Sequence, residues 1–362
     1  MKKVLAIALA LVMVLSLTAI AFADEPTYHF EIVSKGFQST YWQAVLKGSQ
    51  EEVDKLNAEA GYEMITFNFV GPDSESDIAQ QVQQFKSALN ANPVAIGFAA
   101  VDQEAFMEDL QVALDKKLPI IGFDSGVPGA PEGAVYANAA TDNYYAGGVA
   151  AEGMWAKIKD RIAAADGTVR IGEVNQDATG ESVTQRGLGF IDKIIELAAA
   201  EGWGVAVTGN EFYVNGKKGE TVAEADAKII IEAHVPAQTT VELCANEAAV
   251  LLNEEDTIAV FGSNQTAAEG VVAADGNLYV CGCDDDSIIA VGFDSGATLK
   301  AAIRDGVMYG AVTQAPVGIG RVTIDLLLAC AKGEPVEDTD TGCAFYTLEN
   351  IDSEEIAQNL YD

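Results

Sequence analysis

Basic residues are scarce in this 362-residue chain: 21 Lys and Arg stand against 55 Asp and Glu, a formal net charge of −34. Gripping a phosphate backbone or an anionic lipid surface needs clustered cations. The composition therefore excludes nucleic acid and membrane lipid as partners and leaves a soluble, self-repelling surface. Histidine is scarcer still, with His29 and His234 isolated from each other. Neither a Ser–His–Asp set nor a zinc-like pairing is evident, so no catalytic residue, metal or cofactor is assigned. Cys281-x-Cys283 beside Asp284, Asp285 and Asp286 then reads as a solvated loop after a strand rather than a metal site. The five cysteines are Cys244, Cys281, Cys283, Cys330 and Cys343. An odd count leaves at least one thiol unpaired unless chains cross-link. Cys330 and Cys343 are candidates to pair across a helix-to-strand turn, with the connectivity open. Only one long apolar run exists, from Val4 to about Ile20. Lys2 and Lys3 precede it and Ala21-Phe22-Ala23 follows, the pattern of a secretory signal peptide cut after Ala23. An uncleaved anchor is the alternative, since the run is close to spanning length. With no cysteine near the cut, no lipid anchor is expected. The mature chain, Asp24–Asp362, is expected outside the cytoplasmic membrane, periplasmic or extracellular.

What is present is a globular body, 49% apolar and 21% charged. At ~150 residues per domain its length suggests about two domains. Strand and helix patterns alternate. Strands are expected at His29–Ser34, Met64–Val70, Val94–Ala99, Leu118–Phe123 and Val135–Ala137, with helices at Tyr41–Ala58, from Ser74 or Asp77 to Leu89, and at Gln103–Lys116. The pattern restarts with helices at Tyr144–Ile162, Ser182–Ala200, Thr239–Leu252, Ala267–Ala274, Leu299–Arg304 and Val317–Ala331. Between and after them come strands at Thr168–Val174, Gly204–Gly209, Thr257–Gly262, Ile288–Phe293, Gly310–Thr313 and Cys343–Leu348. The stretch 215–238 reads as irregular. Strands separated by helices of this length imply parallel sheets with right-handed crossovers, and there are enough units for two.

One pentapeptide repeats. Gly122-Phe123-Asp124-Ser125-Gly126 recurs 170 residues later as Gly292-Phe293-Asp294-Ser295-Gly296, each copy after a strongly apolar strand. A strand buried on both faces looks like this. Each Asp then emerges at a carboxyl end, where open α/β sheets bind ligands. A single copy would be a good turn and no more. Two copies in matching contexts predict two carboxylates facing a common cleft.

Several segments, in order, resemble the type I periplasmic binding proteins of sugar ABC transporters, specifically the ribose- and galactose-binding group. They are Val33-Ser34 with Tyr41-Trp42 and Lys47-Gly48-Ser49-Gln50; Pro119–Asp124; Thr141-Asp142-Asn143-Tyr144-Tyr145-Ala146-Gly147-Gly148; Arg186-Gly187-Leu188-Gly189-Phe190; Val260-Phe261-Gly262-Ser263-Asn264; Val291–Asp294; and Ala311-Val312-Thr313-Gln314-Ala315-Pro316. The resemblance implies an α/β fold of two Rossmann-like lobes joined by a three-strand hinge. The lobes would be 24–140 plus 316–345 and 141–315 plus 346–362. It implies a ligand-binding set of Ser39, Tyr41, Trp42, Asp124, Ser125, Arg186, Tyr213, Asn264, Asp294 and Gln314.

That set suits a polyol. Tyr41 and Trp42 offer aromatic faces to apolar C–H faces, although adjacent aromatics at a helix start are also ordinary core. Asp124 and Asp294 accept from hydroxyls, Arg186 donates from a planar fork, and Asn264 and Gln314 do both. Asp142 and Asn143 are expected to cap the following helix. The chain departs from the ribose pattern at Ser39, Ala99 and Ser125, which removes donors from the first lobe. Phe212 and Tyr213 stand where an aromatic lines the family's cleft. The implied function is a monomeric binding protein that closes on a sugar or polyol and delivers it to an ABC transporter permease. A subunit presenting ligand to a chemoreceptor or kinase would have the same sequence. Paired carboxylates also suit a secreted glycoside hydrolase, but here they sit on separate lobes. A related repressor is excluded by the signal peptide and the lack of a basic helix-turn-helix.

Overall fold

The structure, a computed structural model, describes residues 25–362. The expected signal peptide, 1–23, and its cleavage point lie outside the described residues. Among those described, no helix is long and apolar enough to cross a membrane.

The first lobe alternates β1 (Tyr28–Val33), α1 (Thr40–Ala60), β2 (Ile65–Val70), α2 (Ile78–Asn90), β3 (Ala95–Phe98), α3 (Met107–Lys116), β4 (Ile120–Phe123) and β5 (Val135–Ala140). The second runs through α4 (Asn143–Ala164), β6 (Val169–Val174), α5 (Glu181–Ala200), β7 (Val205–Gly209), α6 (Glu211–Gly216), β8 (Ile229–His234), α7 (Val241–Leu252) and β9 (Thr257–Gly262). It continues with α8 (Gln265–Leu278), β10 (Cys281–Gly282), β11 (Ile288–Phe293), α9 (Ala297–Arg304) and β12 (Gly310–Gln314). Then follow α10 (Pro316–Ala331), β13 (Thr339–Asp340), β14 (Cys343–Thr347) and α11 (Glu354–Ala357). One sheet has the order β13-β5-β4-β3-β1-β2. The other is β14-β12-β11-β9-β6-β8-β7, with β10 beside β11. The pairs are parallel except β12 with β14. Strands β3, β4 and β11 are buried along their whole length because helices cover both sheet faces.

The chain passes between lobes three times. It leaves the first sheet after β5, returns after β12 into α10, and leaves again between β13 and β14. That last passage falls ahead of Cys343, a few residues before the expected 345/346 boundary. Helix α10 packs on α1 and on β3 to β5, and its Ile319, Ile324, Leu327 and Leu328 belong to the core of the first lobe.

Each lobe has a helix pair crossing on a glycine from each helix. A Cβ on Gly147 (α4) would lie 2.0 Å from the Arg186 carbonyl oxygen, and one on Gly189 (α5) 2.0 Å from that of Tyr144. In the first lobe Gly48 and Gly320 stand likewise against the carbonyls of Val317 and Val45, at 2.0 and 2.1 Å.

Three expectations need correction. The stretch 215–238 is not irregular throughout: it contains β8, paired with both β6 and β7. An apolar run this short carries no period, and Lys228 and Glu232 beside it gave it a polar look. Cys281-Gly282 is not loop but a short strand, β10, paired with β11; the exposed loop with Asp284, Asp285 and Asp286 follows it. Cys330 and Cys343 do not pair; all five cysteines are free.

Candidate functional site

A cavity of about 380 Å³ opens between the lobes at the carboxyl ends of both sheets. From the first lobe it is lined by Lys35 after β1, Ser39, Tyr41 and Trp42 at the start of α1, Glu75 after β2, and Asp124 after β4. From the second come Gln176 after β6, Arg186 on α5, Asn264 after β9, Asp294 after β11 and Gln314 at the end of β12.

The repeated pentapeptide builds the same corner twice. Asp124 and Asp294 each follow the last residue of a strand, with φ of 57° and 75°. This left-handed region costs most L-residues about 1–2 kcal/mol, and Asp is among the few that enter it. In each corner the backbone N–H stays tied to the neighbouring strand, Asp124 to the Ala139 carbonyl at 3.0 Å and Asp294 to that of Val312 at 2.6 Å. Both carboxylates thereby reach the same cavity from opposite lobes.

Their environments differ. Burial pushes the Asp124 carboxyl up to about 6, against the pull of Lys35, a hydrogen bond from the Tyr41 hydroxyl, and Arg186. Burial also raises Asp294, against Arg186, whose Nη1 lies 3.7 Å away. Asp294 further accepts from Gln314 Nε2 at 2.6 Å and from the Gln265 backbone N–H at 3.1 Å. Lys35 is 3% exposed. Burial lowers its affinity for a proton, but Glu75, Asp177 and Asp124 more than reverse this and its pKa is raised.

Arg186 is fixed on three sides. Nη1 donates to the Ser263 carbonyl and Nη2 to Asn143 Oδ1, both at 2.8 Å, while the guanidinium lies 3.6 Å from the Phe293 ring centre. Its Nε has no partner, and neither do Gln314 Oε1 and Ser263 Oγ. A buried polar atom left unpaired costs ~1–3 kcal/mol. Arg186 and Gln314 both line the cavity, and a donor and an acceptor left over there call for a ligand that both accepts and donates. The aromatic wall is Tyr41 and Trp42, edge to face at 5.1 Å. Ser39 caps α1, its Oγ accepting from the Trp42 N–H. Asn264 caps α8, with Oδ1 accepting from the Ala267 N–H at 3.0 Å.

Two expected residues are not in the cavity wall. Ser125 is buried at the lobe interface, where its Oγ accepts from the Ser182 N–H at 3.3 Å. Tyr213 is fully buried against α5: its ring fills the space over Gly187 and its hydroxyl donates to the Asp177 carbonyl at 2.9 Å. Asp142 caps α4 as expected, but Asn143 instead holds Arg186. The sequence reading passed over Lys35, Glu75 and Gln176. Lys35 and Gln176 each sit two residues beyond a sheet strand, close to where the aspartates emerge, but neither lies in a repeated segment. Glu75 had none, being one acidic residue in an acidic loop.

A family model for the periplasmic binding protein domain matches residues 30–335. The ribose import binding protein RbsB of Salmonella typhimurium (strain LT2) is 24% identical over 340 residues, 93% of this chain and 95% of the relative. A solved structure from Brachyspira murdochii, described as an ABC transporter, LacI family transcriptional regulator, is 32% identical with a TM-score of 0.75. That match covers 93% of this chain and 99% of the other. An ABC transporter solute binding protein of Agrobacterium vitis with bound D-fucose is 27% identical with a TM-score of 0.74, over 92% and 100% of the two chains. The matched span takes in most of both sheets, all but β13, β14 and the start of β1, and every residue of the cavity wall named above, and the chain belongs to the periplasmic binding protein domain family.

Proposed function

We propose that this protein is the solute-binding component of an ABC transporter. It captures a neutral sugar or related polyol between its lobes and presents it to the permease. The observation that carries this reading is the pair of repeat-derived carboxylates facing one cavity, beside an unpaired Arg186 Nε and an unpaired Gln314 Oε1. In this reading Asp124 and Asp294 accept from hydroxyls on opposite sides of the ring, and charge makes those bonds stronger than neutral ones. Arg186 Nε donates to a ring or hydroxyl oxygen. Gln314 and Asn264 serve hydroxyls that both give and take, Ser39 adds a hydroxyl, and Tyr41 and Trp42 cover apolar C–H faces.

Contacts that need both lobes at once shift the population toward closure. Lobes of 24–140 plus 316–340 and 141–315 plus 343–362 would move about the three crossings. The D-fucose bound by the Agrobacterium relative favours a monosaccharide. The missing donors at Ala99 and Ser125 argue against ribose itself. In this reading the expected signal peptide, 1–23, sends the working protein outside the cytoplasmic membrane, and the function asks no catalysis of it.

The test is a thermal-shift panel of pentoses, hexoses and cyclitols on the mature protein. A ligand at 100 times its Kd stabilises by ~2.7 kcal/mol. Asp124→Ala and Asp294→Ala should each abolish the shift while the ligand-free protein still melts cooperatively. Silence across the panel sinks the reading.

A further inference from the structure

Glu75, in the loop between β2 and α2, has no part in the reading above. Its two oxygens are divided between the lobes. Oε1 accepts the Trp42 indole N–H at 2.8 Å. Oε2 accepts from Gln176 Nε2 at 2.9 Å. Gln176 Oε1 in turn accepts from Asn264 Nδ2. Trp42 and Glu75 belong to the first lobe, Gln176 and Asn264 to the second. One line of hydrogen bonds therefore joins the aromatic wall on one side of the cleft to the amide on the other. Lys35 Nζ, 3.8 Å from Glu75 Oε2, offsets the charge. The next residue makes a second link, Ser76 Oγ accepting the Thr239 backbone N–H at 2.7 Å. None of these bonds involves a ligand.

We propose that Glu75 is a positioning residue that fastens the two lobes and fixes the Trp42 ring in the same act, the loop Asp73–Asp77 serving as a clasp. It rests on the sugar-binding reading only for its bearing on affinity. Hydrogen bonds to an ionised acceptor are about twice as strong as neutral ones. Opening the cleft breaks the bond from Gln176 outright and leaves Trp42 held by a loop that has lost its anchor. The ligand-free protein is thus biased toward the closed arrangement, and less of the ligand's binding energy goes into closing it. Networks of this kind are worth more than their separate bonds, so cutting any member should loosen the whole.

The chain has three tryptophans. Trp155 and Trp203 pack on each other in the second lobe, ring centres 5.8 Å apart. A Trp155→Phe, Trp203→Phe background therefore leaves Trp42 as sole reporter. In that background, without ligand, Glu75→Ala is expected to move Trp42 emission to longer wavelength, raise its quenching by acrylamide and enlarge the radius of gyration in X-ray scattering. Glu75→Gln keeps an oxygen for the indole and should hold emission nearer the parent. Gln176→Leu cuts the link from the other lobe and leaves the Trp42–Glu75 bond whole. It should enlarge the radius with a smaller emission change. Parent-like emission and radius in Glu75→Ala would overturn the clasp. Should that variant fail to fold, an unchanged radius in Gln176→Leu does so. All these readouts are taken without ligand, so a clasp that fails and a sugar reading that fails are told apart by the panel.

Discussion

A carboxylic acid on a strand covered on both faces keeps its proton. Glu173, at the carboxyl end of β6, is fully buried, and burial pushes it up to about 8. Only the Asn175 amide, donating to Oε1 at 2.8 Å, pulls the other way. The folded state thus holds this proton to about pH 8, whereas the unfolded chain releases it near 4.5. Between those values the native state binds more protons, so stability falls as pH rises, and the loss is complete above the folded value. Glu173→Gln, neutral in both states, should remove this slope. By urea titration it should be more stable than the parent by ~3 kcal/mol near pH 7 and equal to it near pH 4. Parallel pH profiles would contradict the assignment. At the same scale, the site was legible where chemistry repeats. Asp124 and Asp294 announce each other, and their left-handed corners follow from the shared Asp-Ser-Gly. Tyr213 misled because an aromatic in a short helix reads alike whether its ring turns to the cleft or to the core. Glu75 was hidden because its partners, Trp42 and Gln176, are distant in the chain and meet only when the lobes do.

At the scale of elements, the glycine crossing of α4 and α5 sets the position of Arg186. Residue 186 supplies the carbonyl that a Gly147 Cβ would strike, and Asn143 at the start of α4 holds its guanidinium. Gly189→Ala must push the helices apart against the Tyr144 backbone, since no flexible side chain is there to give way. Overpacking of this kind costs ~1–3 kcal/mol. The variant should show that loss by denaturant titration and should bind its sugar more weakly, because Arg186 moves with α5. An unperturbed affinity would separate the crossing from the site. Most elements were readable from periodicity and turn residues, with bounds shifted by a few positions. Strand β8 was not, because Ile229-Ile230-Ile231 is too short to show a period and is flanked by charge.

At the scale of the molecule, charge decides what can enter. Glu75, Asp124, Glu269 and Asp294 line the cavity with Lys35 and Arg186. Lys35 is engaged with Glu75, and Arg186 with Asp294. No cation is left over for an anionic guest, and the whole chain repels one. Sugar phosphates and uronic acids should give no thermal shift where the neutral sugar of the same ring does. An equal shift would show that Lys35 or Arg186 is free to change partner. The doubly wound character was legible because strands buried on both faces and separated by helices allow little else.

The interleaved path of the chain has a consequence for its birth. Helix α10 completes the core of the first lobe, yet it is made only after β6 to β12 of the second. Until the ribosome has passed residue 331, Phe30, Ile32 and Val45 lack the side chains of Ile319, Ile324 and Leu327 that seal them. A nascent chain of this design stays loose through most of its synthesis, the condition in which a polypeptide can still be threaded through a narrow pore.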